Sequence, residues 1–206
     1  MIIKVCGMRE PGNIRAVERT GIDWMGFIFW PRSGRYVSAP PSYLPQKAKR
    51  AGVFVDVDAD ADTIKRHVAD YALDIVQLHG HESPEYLRSL RSVFSGSAPL
   101  FIKAFSIADD KDLRRTAAYE GIADYFLFDT KTPLPGGSGM KFDWSVLSAY
   151  TGRTPFLLSG GIGPDDAPRV RSFKHEKLAG IDLNSRFETA PAMKDADRIA
   201  RFLSQL

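Results

Sequence analysis

Eight short apolar runs, each followed by a stretch with helical spacing, constrain this chain more than any other feature. The first is IIKV at residues 2–5, which ends at Cys6-Gly7. The others are residues 24–29 (WMGFIF), 51–55 (AGVFV), 74–78 (DIVQL), 100–105 (LFIKAF), 124–128 (DYFLF), 155–158 (PFLL) and 178–183 (LAGIDL). Most are continuously apolar, the pattern of parallel strands covered on both faces. Strand-helix alternation implies βαβ units, and eight of these close naturally into an α/β architecture of one (β/α)8 TIM barrel. At 206 residues the chain is near the small end for that fold, so a single barrel domain over 1–206 leaves little room for a second. A doubly wound open sheet is the structural alternative.

The intervening segments read as helices over residues 10–20, 60–71, 109–120, 142–150, 164–173 and 195–206. Ser83 is placed to cap a further helix with Pro84 at its first position, followed by an apolar stripe of Tyr86, Leu87, Leu90, Val93 and Phe94. The helix after the second strand is poorly marked. A proline-rich loop at 30–45 leads to a short helix over about 42–49.

The bulk numbers exclude several classes. A net charge of +3 suits a small anionic substrate and is too diffuse to indicate nucleic acid. The densest basic stretch, Arg169 to Lys177, reads as a solvated helix face. One cysteine forms no internal disulfide, which fits a reducing compartment. No secretory leader and no membrane-length apolar run is visible, so a cytoplasmic protein without membrane association is expected. Monomer and homodimer both remain open.

In such a barrel, ligands bind at the C-terminal ends of the strands. Those positions hold Cys6, the stretch from Trp30 to Arg35, Asp56, His79, Ser106, Asp129, Ser159 with Gly160 and Gly161, and Asn184 with Ser185 and Arg186. The glycine run after the seventh strand leaves backbone N–H groups uncovered before a helix. That is an anion cradle where these barrels commonly bind phosphate. A second glycine-rich loop, residues 133–139 (PLPGGSG), follows Asp129. The histidines show no metal-ligand spacing, so neither a metal nor an organic cofactor is expected.

Several of these stretches together resemble the phosphoribosylanthranilate isomerases. They are KVCGM at 4–8, GFIF with SGRYV between 26 and 37, GVFV at 52–55 and QLHG at 77–80. DTKTP with GGSG and FDW between 129 and 144, and LSGGI with Pro164, complete the set in order along the chain. The resemblance implies a (β/α)8 enzyme of tryptophan biosynthesis. It would rearrange N-(5-phosphoribosyl)anthranilate to the 1-deoxyribulose 5-phosphate derivative, an Amadori rearrangement, without cofactor. It also implies Asp129 as the acid that protonates the furanose ring oxygen, and Cys6 as the base that removes the C2′ proton.

For those roles the proton affinities must cross. A free thiol titrates near ~8.5 and a free aspartic acid near ~3.9. The acid role calls for Asp129 shifted up by burial or a nearby anion, and the base role for Cys6 shifted down or deprotonated by its surroundings. Lys4, two residues before Cys6, shares its side of the strand. Arg35 fits the anthranilate carboxylate, because a guanidinium meets a carboxylate with two parallel hydrogen bonds. His79 is a supporting pocket residue, and Gly160, Gly161, Asn184, Ser185 and Arg186 form the phosphate cup. One departure stands out: where the family carries Ser-Ser-Gly after the eighth strand, this chain has Asn184-Ser185-Arg186, and Pro191-Ala192 replaces the usual Pro-Gly. Either Arg186 turns outward or it pairs with the phosphate. Two rival readings are another phosphosugar barrel and a non-catalytic sensor of phosphoribosyl ligands. The first would need a lysine acid or metal-binding histidines at the strand ends, and the second would need neither Cys6 nor Asp129.

Overall fold

The computed structural model describes residues 1–56, 60–94, 96, 98–130 and 144–206. Eight parallel strands pair in sequence order and close on themselves. They are β1 (Ile2–Val5), β2 (Trp24–Ile28), β3 (Lys49–Phe54), β4 (Ile75–Leu78), β5 (Leu100–Ile107), β6 (Tyr125–Thr130), β7 (Phe156–Leu158) and β8 (Leu178–Leu183), with β8 returning to β1. The expected barrel is therefore the fold, and the eight parallel strands do not form a doubly wound open sheet.

Around it lie α1 (Pro11–Glu18), α2 (Ala61–Asp70), α3 (Pro84–Ser92), α4 (Asp110–Leu113), α5 (Ala167–Ser172) and α6 (Ala196–Leu203). Their starts follow capping chemistry. Ser83 Oγ accepts the Tyr86 N–H at 3.1 Å with Pro84 at the first position of α3. Asp60 and Asp195 cap α2 and α6 by accepting the Thr63 and Arg198 N–H groups. The helix expected over 109–120 splits into α4 and a 3-10 segment, Arg114–Tyr119. Of the helix expected over 142–150, Trp144–Ala149 is a 3-10 segment. Residues 142–143 and the glycine-rich loop 133–139 lie outside the described residues.

The helix expected over 42–49 does not form. Glu18, at the end of α1, gathers the backbone N–H groups of Gln46, Lys47 and Ala48 at 2.6, 2.6 and 3.2 Å, together with the Tyr43 hydroxyl. Those donors are satisfied by a carboxylate from another element, Pro45 brings none, and Lys49 already pairs with Trp24 in the sheet. The connection between β2 and β3 is thus a tethered loop, and it carries Arg35.

Strand parity sorts the core into two parts. Large side chains such as Phe27, Phe101, Phe126, Phe128 and Phe156 face the helices. Trp24, Ala51, Ile75, Ile102, Ala104, Leu127 and Leu157 form a separate apolar cluster drawn from β2 to β7, which fills the barrel interior. On the same inward parity, nearer the C-terminal ends, stand Lys4, Cys6, Gln77, His79, Asp129 and Asp182. The barrel therefore carries an apolar plug beneath a polar layer, and that layer is the floor of the mouth.

One unexpected element follows β8. After a 3-10 turn, Ser185–Phe187, the chain makes an antiparallel hairpin of β9 (Glu188–Ala190) and β10 (Met193–Lys194). Ala192 takes a φ of 66°, the left-handed conformation that the usual Pro-Gly step accommodates without strain.

Candidate active site

A cleft of about 180 Å³ opens at the mouth. Cys6, His79, Asp129, Gly160, Gly161, Asn184, Ser185 and Arg186 all line it. Eight of the nine residues singled out from the sequence thus converge from β1, β4, β6, β7 and β8. Arg35 is not among the lining residues; it stands beside the cleft. Asp56 points away and bonds to exposed His81.

Cys6 is buried, and its N–H donates to the Leu183 carbonyl at 2.9 Å, so the strand-end backbone is fixed by β8. Its sulfur packs against Gly26 of β2. A Cβ at Gly26 would come within 2.7 Å of Sγ, so the glycine makes the space the sulfur occupies. Beneath it, the fully buried Lys4 ammonium donates to Asp182 Oδ1 at 2.9 Å. Lys194, also fully buried, donates to Asn184 Oδ1 at 3.0 Å and to the Gly7 carbonyl at 3.4 Å.

The proton affinity of Cys6 departs from expectation. Burial pushes the thiol up; Lys4 and Lys194 pull it down, Asp182 pushes it up further, and burial wins. Burial thus raises the proton affinity of the Cys6 thiol rather than depressing it. The reason is physical: removing a thiolate from water costs more than two already paired ammonium groups return.

The Asp129 side chain is 38% exposed and meets His79 Nε2 at 3.5 Å. His79 Nδ1 lies 2.9 Å from Gln77 Nε2. With the amide donating, the neutral imidazole carries its proton on Nε2, facing Asp129. Gln77 Oε1 is buried and has no hydrogen bond among the described residues.

At the other end of the cleft, Gly160 and Gly161 take φ values of 84° and 69°, conformations that favour glycine. Open space faces Gly161, where an added Cβ would meet nothing within 4 Å. Arg186 leans over this turn. Its Nε and Nη2 come within 3.4 and 3.6 Å of where a Cβ on Gly163 would stand.

Arg35 is held from the hairpin. Its Nε donates to Glu188 Oε1 at 2.8 Å and its Nη2 to Oε2 at 2.6 Å. Lys194 Nζ also donates to Glu188 Oε1. Burial works against the charged carboxylate, but the hydrogen bonds and charges of Arg35 and Lys194 prevail and hold Glu188 down at about 2.

Glu188, Lys194, Asp182 and Gln77 were not singled out from the sequence. A signal existed for Asp182: a lone charge in the run LAGIDL, on the same strand parity as the barrel interior. No comparable signal marks Lys194, which reaches the site only because the hairpin folds back over α1, where Asn13 pairs with its backbone at 2.7 and 2.8 Å.

The model of the family described as N-(5'phosphoribosyl)anthranilate (PRA) isomerase matches residues 3–205. An N-(5'-phosphoribosyl)anthranilate isomerase of Phocaeicola vulgatus is 53% identical, over 100% of this chain and 98% of that protein. A crystal structure of phosphoribosyl anthranilate isomerase in complex with reduced 1-(o-carboxyphenylamino)-1-deoxyribulose 5-phosphate is 28% identical and superposes with a TM-score of 0.81, covering 100% of this chain and 98% of that one. Monomers generated from the dimeric enzyme of Thermotoga maritima are 29% identical with a TM-score of 0.80, at the same coverage.

Proposed function

The chain belongs to the N-(5'-phosphoribosyl)anthranilate isomerase family, and from that premise we propose that Cys6 and Asp129 are the base and the acid of its reaction. The enzyme catalyses the Amadori rearrangement of N-(5'-phosphoribosyl)anthranilate to 1-(2-carboxyphenylamino)-1-deoxyribulose 5-phosphate, in tryptophan biosynthesis. What carries the assignment is convergence: a thiol from β1 and a carboxyl from β6 line one cleft, with the glycine turn after β7 at its end.

The phosphate sits on the backbone of Gly160 and Gly161, with Asn184, Ser185 and the Arg186 guanidinium completing the cup. The anthranilate carboxylate lies toward Arg35, whose Nη1 edge points away from the bonds to Glu188. Asp129 protonates the ring oxygen, the C1′–O bond breaks, and a Schiff base forms between C1′ and the anthranilate nitrogen. Cys6, its own thiol proton first released to solvent, then takes the C2′ proton as a thiolate; the C2′–H electron pair forms C1′=C2′ while the C1′=N pair returns to nitrogen, and the enolamine tautomerises to the ketone. Bound substrate covers Asp129, and its anionic groups favour the protonated carboxyl. His79 orients Asp129 from the β4 side. These are proton transfers alone, and they call for no cofactor.

The same reading makes residues 1–206 a single barrel domain working in the cytoplasm. No helix among the described residues is long and apolar enough to cross a membrane. Both a monomer and a homodimer fit this reading.

The test is turnover by the purified protein, followed by loss of the substrate's fluorescence, with Asp129→Asn alongside. A drop in kcat of ~100-fold or more is expected, the scale of a lost general acid. An Asp129→Asn variant turning over like the wild type would remove Asp129 from the mechanism.

A further inference from the structure

We propose that Lys4 is a positioning residue for this reaction: anchored by Asp182, its buried ammonium seats the Cys6 sulfur and sets how readily that sulfur gives up its proton. The inference deepens the reading of Cys6 as the base and rests on it.

Three observations converge. Lys4 and Cys6 are two residues apart on β1, so both side chains enter the barrel one above the other. Lys4 and Asp182 are register partners across the β1–β8 pair, and their side chains bond at 2.9 Å with no exposure of the lysine. The sulfur sits in the space left by the missing side chain of Gly26, where an added Cβ would come within 2.7 Å of it. Burying a lysine in a barrel interior costs several kcal/mol even when it is paired, and an apolar pair in the same place would stabilise the fold at least as well. The ion pair stands at the floor of the cleft, directly beneath the one thiol of the chain.

Its effect follows from the charges around Cys6. Lys4 comes from β1, Asp182 from β8, Lys194 from β10, Glu188 from β9 and Arg35 from the connection between β2 and β3. Neighbouring β2 contributes Gly26 and no charge. Asp129 and His79 face Cys6 from across the cleft. Lys4 pulls the thiol toward ionisation, Asp182 opposes it, and burial outweighs the pull. In this arrangement Lys4 stabilises the thiolate, while Asp182 keeps that stabilisation partial. The sulfur can then accept the C2′ proton and hold it until the enolamine is complete.

The prediction has opposite signs on the two partners. The chain has one cysteine, so the pH-dependent ultraviolet absorbance of thiolate, with Cys6→Ser as the blank, reads Cys6 alone and needs no substrate. Lys4→Met should move thiolate formation to higher pH by about one unit or more, and Asp182→Asn should move it lower. The acid limb of kcat/KM should move in the same directions. Midpoints that stay put, or that move the same way in both variants, would overturn the proposal, because a merely structural pair has no reason to split by sign. If Lys4→Met does not fold, Asp182→Asn decides: a lower midpoint supports the proposal, and an unchanged or higher one rejects it. Activity of Cys6→Ser is a separate measurement, so a failure of the base assignment is distinguishable from a failure of this one.

Discussion

Arg35 and Glu188 meet as fork on fork, Nε on Oε1 at 2.8 Å and Nη2 on Oε2 at 2.6 Å. The pair ties the long loop after β2 to the hairpin after β8, across the mouth from Asp129. A bidentate guanidinium–carboxylate contact fixes direction as well as distance. Glu188 therefore aims Arg35, and Lys194 in turn holds Glu188.

Removing the guanidinium should raise KM far more than it lowers kcat, because the carboxylate contact is made equally in ground and transition states. Glu188→Gln should raise KM by a smaller factor, and the double variant should be no worse than Arg35→Ala alone. Steady-state kinetics on the three proteins checks this. Additive effects would mean that Glu188 acts independently of Arg35.

The same carboxylate gives a pH dependence of stability. Glu188 is held at about 2 in the folded protein, below its ordinary 4.5. A depressed carboxylate contributes stability that is full above its unfolded value and lost as pH falls through its folded value. The gap in Tm between the wild type and Glu188→Gln should thus be widest above pH ~4.5 and shrink toward pH ~2. A gap independent of pH would contradict the coupling.

Arg186→Gly restores the residue the family usually carries and tests the phosphate cup. With the guanidinium leaning over the β7–α5 turn, its loss should weaken substrate binding and inhibition by inorganic phosphate by about tenfold, the scale of one hydrogen bond to a charged group. Tighter binding in the variant would mean that Arg186 obstructs the cup.

Gly26→Ala places a methyl 2.7 Å from the Cys6 sulfur and 3.1 Å from its Cα. Overpacking of this kind costs ~1–3 kcal/mol and displaces the smaller neighbour. Urea unfolding should show that loss, and kcat should fall with it. Full activity would mean that the position of the sulfur is not critical.

Much of this site was legible in the sequence because barrels place function at strand ends. Cys6, His79, Asp129 and the Gly160–Gly161 turn each end an apolar run, and the closed barrel brings those ends to one rim. The helix expected near 42–49 failed because Glu18 satisfies that segment's N–H groups from another element, a tertiary choice with no local signature. Lys194 and Glu188 were missed for the same reason: their meaning comes from a hairpin that folds back over α1. The raised proton affinity of Cys6 was not legible because charges can be counted in a sequence, whereas burial cannot.

The most direct measurement is kcat of Cys6→Ser at the pH optimum of the wild type. Serine keeps the shape and removes the proton acceptor, so kcat should fall by ~100-fold or more while the variant still binds substrate. A Cys6→Ser enzyme turning over at the wild-type rate would contradict the assignment of Cys6 as the base.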